Sequence, residues 1–209
     1  MGMTTMTAGR LVSIAAMLLA LALTVACAPR AMRGGDGTEN PSMDQPAMST
    51  GLDREDIVYL VDQNLGGLFE SKFWNNEVLN ESGQPVMAIW PIQNATTEHL
   101  EDQMATLLSS LETSLVNSGE VQVVSKERQS QLAQEIGIQQ GAIYDPSSAA
   151  RLGRQIGAKY FVTGKLMAVD ERLQKTRRVQ YSLFIQIVEV ETGVLKFQNE
   201  SARSKALKG

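Results

Sequence analysis

Hydrophobic residues recur at helical spacing in two stretches of the chain. Apolar side chains return every three or four positions through 57–69 and again through 100–115. Asp53 stands where a helix N-cap is expected. Glu98, Glu101 and Asp102 are predicted in the first turns of the second helix, and N-S-G at 117–119 ends it. This pattern predicts two amphipathic helices that each bury one face.

Strand-like segments separate and follow these helices. Short apolar runs occupy 86–92 and 121–124, and a longer one occupies 159–169. Apolar and polar residues then alternate through 178–190, E-T-G turns the chain, and 194–200 returns as the second arm of a hairpin.

Two further helices are predicted between the second and third strands. One begins at Ser125 and ends near Ile136, and the other begins at Asp145-Pro146 and ends at Gly157. Parallel strands joined by a helix form a βαβ unit. We therefore expect the α/β class, with a mixed sheet of four to five strands, a βαβ unit followed by a C-terminal antiparallel meander, and flanking helices.

The N-terminal part of the chain has the pattern of an export signal. Arg10 precedes an uncharged, largely apolar stretch at 11–26, which is shorter than the roughly 20 residues that span a bilayer. Ala26 and Ala28 flank Cys27, the only cysteine in the chain, and small residues suit cleavage there. The segment resembles the lipobox of bacterial lipoproteins, which implies a lipid anchor at Cys27; an ordinary signal peptide with a chance cysteine is the alternative.

The composition divides the chain into three segments. We predict a lipoprotein signal peptide at 1–26, the lipidated cysteine with a flexible tether at 27–52, and a globular α/β domain at 53–209. The tether is rich in Gly, Pro, Ser and Asp, lacks aromatic residues and spans at most roughly 80–90 Å when extended.

Several kinds of chemistry are excluded by the inventory of residues. A net charge of −4 gives no basic field for nucleic acid. One cysteine and one histidine, His99, leave no disulfide, no multi-cysteine metal site and no His-pair zinc motif. His99 is interpreted as a solvent-facing residue and Asp170-Glu171 as part of a loop. We expect no enzyme activity, no cofactor and no metal.

One segment has a concentrated positive charge. E-R-L-Q-K-T-R-R joins two predicted strands and carries four cations. Two interpretations stay open, a solvated hairpin tip and a docking patch for an acidic partner. The candidate partner-binding residues are Arg172, Lys175, Arg177 and Arg178.

Two glycines and two aromatic residues have alternative interpretations. Gly164 lies inside a strand and indicates a bulge or a close backbone approach, with packing preferred over ligand binding. Gly153 and Gly157 end a helix, which favours close helix packing over a phosphate loop. Phe73 and Trp74 are interpreted as core residues, with an exposed aromatic anchor as the alternative.

Four segments resemble corresponding parts of the LpoB family. The segments include I-Q-N-x-T after the first strand, G-x-Q-x-G-A-x-Y before the third, and an E-T-G hairpin with an aromatic residue four positions past its glycine. They occur in the family's order over roughly residues 55–202. The segments are 85–101, 114–135, 150–166 and 180–200.

The resemblance implies a function for the whole chain. Family members are outer-membrane lipoproteins that face the periplasm and activate bifunctional penicillin-binding proteins by docking on a small regulatory domain. No partner-contact residue can be transferred, and the tether is shorter than in well-known members. A monomer anchored in the outer membrane by its lipid is expected. The alternative is an outer-membrane assembly lipoprotein of a curli-secretion or flagellar type with the same core fold.

Overall fold

The structure, a computed structural model, describes residues 32–34, 37–125 and 146–208, with side chains from 151 onward in the last range. The chain divides into two units, Met1–Pro46 and Ala47–Gly209. In the described part of the first unit, Gly34 and Asn40 form an isolated parallel bridge. Cys27, the predicted signal peptide and all of the helix predicted from Ser125 to Ile136 except Ser125 itself lie outside the described residues.

The described part of the second unit forms a five-stranded mixed sheet with helices packed on it. The sheet order is β2-β1-β3-β4-β5, in which β1 runs parallel to β2 and β3, and the last three strands are antiparallel. This confirms the predicted α/β class with its βαβ unit and C-terminal meander. The elements are α1 (Arg54–Glu70), a π-helical turn (Trp74–Val78), β1 (Val86–Asn94), α2 (Glu101–Ser118), β2 (Gln122–Val124), α3 (Pro146–Gln155), β3 (Tyr160–Leu173), β4 (Thr176–Glu189) and β5 (Leu195–Lys208).

Helix α1 begins where the sequence predicts it. The Asp53 carboxylate accepts a hydrogen bond from the Asp56 backbone N–H, and the Asp56 carboxylate accepts one from the Asp53 N–H, which forms a complete capping box. The apolar stripe of α1 is buried against β4 and β5. Its buried members are Ile57, Leu60, Val61, Leu65 and Leu68.

Helix α2 begins later than predicted. Glu98 was expected in its first turn, but the helix starts at Glu101. The Asn94 side chain accepts hydrogen bonds from the Thr96 N–H and hydroxyl, so the segment after β1 closes into a side-chain-stabilised turn. Glu98 therefore lies in a loop.

A second, smaller core lies on the opposite face of the sheet. Leu152 of α3 packs there with Trp90, Phe161 and Val190. A Cβ on Gly153 would lie 2.6 Å from Val190 Cγ1, which confirms that the glycine permits close packing. Helices thus cover parts of both faces, α1 and α2 on one and α3 on the other.

At Gly164 the backbones of β3 and β4 approach closely. A Cβ built there would lie 1.9 Å from the Phe184 carbonyl oxygen, so only glycine fits. The pairing of β1 with β3 also changes register between Ile89 and Ile92, next to Gly164. The predicted close backbone approach is confirmed.

Strands β3, β4 and β5 are longer than their apolar patterns predicted. The segment 171–178 was predicted as a loop, but only Gln174 and Lys175 lie outside the strands, with Gln174 at a φ of 52°. The pairing continues from Asp170 with Val179 to Leu173 with Thr176. The loop prediction for this segment, including Asp170-Glu171, is therefore wrong because charged residues continue both strands.

Candidate functional site

The distal ends of β3 and β4 form a charged hairpin tip, defined here as residues 170–178. Arg177 donates to Asp170 with a 2.7 Å contact, and this hydrogen bond holds the pKa of the Asp170 carboxyl below its usual range. Arg178 pairs with Glu171, directly opposite it in the register. These pairs explain why a polar sequence continues as strand.

Two of the four candidate cations at the tip form no ion pair with the part of the chain that the structure describes. Neither Arg172 nor Lys175 has an ion pair within 4.0 Å among the described residues. Leu173 lies between them in the sequence and is 77% exposed. The tip therefore combines two available cations with an apolar side chain in solvent.

A buried tyrosine supports the base of the hairpin tip. The Tyr181 hydroxyl donates to both carboxylate oxygens of Glu98, at 2.9 and 3.1 Å. Burial, together with this hydrogen bond, raises the pKa of Tyr181 well above its usual value. The contact ties the loop before α2 to β4 and places a carboxylate behind the tip.

An ion cluster joins the start of the globular unit to its last strand. Lys205 Nζ lies 2.5 Å from Asp53 Oδ2, 2.6 Å from Asp56 Oδ2 and 2.7 Å from the Gly51 carbonyl oxygen. The Lys205 and Asp56 side chains are only 7% and 3% exposed. Arg203 lies on the same strand as Lys205, and its Nε is 3.7 Å from Asp56 Oδ1.

The pKa shifts in this cluster follow from its geometry. Burial opposes ionisation of both Asp53 and Lys205. The hydrogen bonds and charge interactions among Asp53, Asp56 and Lys205 together outweigh that effect, so the pKa of Asp53 is lowered and the pKa of Lys205 is raised. Both groups are therefore held in their charged forms.

A buried amide forms a second contact between α1 and the last two strands. Asn64 Nδ2 donates to Ser201 Oγ at 2.6 Å and to the Leu183 carbonyl at 3.1 Å. Asn64 Oδ1 has no hydrogen-bond partner among the described residues. The sequence patterns indicated neither the ion cluster around Lys205 nor the contacts of Asn64. The available signal for Asn64 was that this polar residue stands on the apolar stripe of α1.

Other candidate residues lie where the sequence placed them. Phe73 and Trp74 are buried, and the side chain of His99 is 98% exposed, 4.0 Å from Glu101. In the described part of the chain, no group of three or more acidic, histidine or cysteine residues could hold a metal. No helix there is long and apolar enough to cross a bilayer.

Comparison with known proteins identifies the family. The LpoB C-terminal domain from Salmonella enterica is 19% identical with a TM-score of 0.52, over 71% of this chain and 98% of that chain. The corresponding Escherichia coli domain is 21% identical with a TM-score of 0.49, over 72% and 99%. The Salmonella match shows the fold, while no curated protein sequence gives a significant match. A family model described as peptidoglycan-synthase activator LpoB matches residues 56–202, so the chain belongs to the LpoB family.

Proposed function

We propose that this protein is an outer-membrane lipoprotein that binds and activates a bifunctional penicillin-binding protein. The observation that carries the proposal is the family match over residues 56–202, which covers nearly all of the described globular unit. The protein acts as a regulator without catalysis of its own. A lipid on Cys27 holds it at the outer membrane, facing the periplasm, as a monomer.

The hairpin tip is the proposed docking surface. Arg172 and Lys175 supply positive charge without a competing carboxylate within 4.0 Å among the described residues, and Leu173 supplies an exposed apolar side chain in the same segment. Charges at a rim steer association, whereas a central apolar side chain in a pocket slows dissociation. The complementary surface on the synthase combines acidic side chains with an apolar socket.

The lipid anchor and the docking surface act together. A flexible tether raises the effective concentration of the docking surface near a membrane-bound partner, without adding a contact. Activation then requires that docking favours the active state of the synthase, which is a coupling between two sites.

Charge reversal at the hairpin tip tests the docking surface. The double variant Arg172→Glu and Lys175→Glu is expected to lower the association rate with the synthase about three- to tenfold at low salt, with a smaller effect near 0.5 M salt. The rate is measured by surface plasmon resonance with the detergent-solubilised synthase. The matched control, Arg54→Glu and Lys72→Glu, makes the same change in charge at exposed positions on α1 and just after it.

A second experiment tests activation. The wild-type protein is expected to increase glycan polymerisation by the purified synthase in proportion to the fraction of synthase bound. An unchanged association rate for the tip variant refutes the docking surface. Failure of the wild-type protein to bind or stimulate any bifunctional synthase, or recovery of flagellar or secretion components instead, refutes the proposed function.

A further inference from the structure

A concave site lies on the face of the sheet opposite α1 and α2. Strand alternation places its side chains on the same face as Phe161, beyond the part that α3 covers. The cavity has a volume of about 300 Å³, the lower end of the range for small-molecule sites. Six side chains from four strands line it: Gln93, Thr163, Lys165, Phe184, Gln186 and Gln198.

The concave shape has a local cause. The register of β1 against β3 changes between Ile89 and Ile92, and Gly164 lets β3 approach the backbone of β4 at the same level. An irregularity of this kind bends and twists a sheet locally. A regular sheet would present a flatter surface at this position.

An aromatic ring and a cation form the centre of the site. Lys165 Nζ lies 5.2 Å from the centroid of the Phe184 ring, and Lys165 has no ion pair within 4.0 Å among the described residues. On the far side of Phe184 the register places Glu200 of β5. The site therefore presents an available cation beside a partly buried aromatic ring, and the Glu200 carboxylate lies outside its lining.

Three glutamines provide amide groups beside this row. Gln186 Nε2 donates to Gln198 Oε1 at 2.6 Å, which orders both side chains. This arrangement directs the Gln186 acceptor and the Gln198 donor away from their shared bond. Gln93 adds a third amide and Thr163 a hydroxyl at the edge of the cavity.

We propose that this cavity binds a muropeptide, the repeating glycopeptide unit of peptidoglycan. Its carboxylate would pair with Lys165, its N-acetyl and peptide amides would match the glutamine side chains, and the apolar face of a sugar ring would lie on Phe184. The proposal rests on the proposed function, because a synthase activator works beside newly made glycan. It goes further by assigning a second ligand to a surface separate from the hairpin tip.

Ligand-observed saturation-transfer NMR tests the site. The full-length protein in detergent is titrated with a disaccharide tetrapeptide, for which we expect saturable binding with a dissociation constant of roughly 0.1–10 mM. Lys165→Met removes the charge but keeps the aliphatic stem, and should weaken binding about tenfold or more. The matched control, Lys208→Met, removes an exposed lysine at the far end of the same sheet face and should leave binding unchanged.

A second probe separates charge recognition from nonspecific stacking. A muropeptide with amidated carboxylates should bind the wild-type protein about tenfold more weakly, and Lys165→Met should then have no further effect. Absence of saturable binding to the wild type, or equal binding by the wild type and Lys165→Met, overturns the inference. Synthase binding is measured on the same samples: if it persists while muropeptide binding is absent, this inference alone fails, and if it too is absent, the proposed function fails.

Discussion

Removal of the Lys205 ammonium group should measurably destabilise the fold. In Lys205→Met, Asp56 remains buried without its closest cation, and the Gly51 carbonyl loses its hydrogen-bond donor. Removing one partner of a buried ion pair costs roughly 3–5 kcal/mol. Two features offset part of this cost, because Asp53 is 44% exposed and Arg203 stays within 3.7 Å of Asp56. We therefore expect a loss of about 2–3 kcal/mol in the free energy of unfolding.

Urea denaturation followed by circular dichroism measures this loss. With a slope of roughly 2 kcal/mol per M for a domain of this size, the midpoint should fall by about 1–1.5 M. Lys196→Met is the matched control, since Lys196 also lies on β5 and pairs with Glu77, and the two side chains are 20% and 44% exposed. A pair that remains open to solvent contributes at most about 1 kcal/mol, so the control midpoint should fall by less than about 0.5 M.

Two outcomes would refute the reasoning about Lys205. Equal shifts for Lys205→Met and Lys196→Met would mean that burial of the cluster has no energetic consequence. A double variant that adds Asp56→Asn to Lys205→Met should recover part of the lost stability, because it removes the unpaired buried charge. Strictly additive losses in that double variant would contradict the proposed coupling.

The remaining predictions concern pH and two glycines. The stability that Asp53 contributes should be present above about pH 4 and lost as pH falls through the lowered pKa of Asp53 in the folded state. The stability that Lys205 contributes should be present below about pH 10 and lost as pH rises through the raised pKa of Lys205 in the folded state. Urea midpoints measured across pH should show both losses, and an alkaline loss that is unchanged in Lys205→Met would contradict the assignment to Lys205. Gly164→Ala should cost more than about 3 kcal/mol, seen as a melting temperature lower by about 6 °C or more, because its Cβ would meet the Phe184 carbonyl oxygen at 1.9 Å. Gly153→Ala should cost at most about 2 kcal/mol, because its Cβ meets side-chain atoms of Val190 and Phe161 that can move and because alanine favours the helix. A larger loss of stability at Gly153 than at Gly164 would contradict this explanation.

The sequence predicts those parts of the fold whose signals are local. Helix α1 has its cap, acidic first turn and apolar stripe within one continuous segment, so Asp53 and the stripe could be identified without any tertiary information. The βαβ unit followed at once from the order of helices and strands. Gly164 was recognisable because a glycine inside an apolar strand needs a structural reason.

Features that depend on strand register could not be predicted. The ends of β3 and β4 at the hairpin tip, 170–173 and 176–178, are mostly polar, so alternation disappears there although Arg177 and Arg178 pair with carboxylates across the hairpin. Lys205 contacts Asp53, 152 residues earlier, and Asn64 contacts Ser201, 137 residues later. Such partners are visible only once β5 is known to continue past residue 200. The register then pairs Lys205 with buried Val179, on the core-facing side.

The contacts around Lys205 have a mechanical consequence. Thr50 and Leu52 are buried, and the Gly51 carbonyl is held by the same ammonium group as Asp53. Tension that reaches the globular unit through the preceding chain is therefore applied at the contacts between the first turn of α1 and the distal half of β5. We expect these few polar contacts to carry the load first and to break before the paired strands separate.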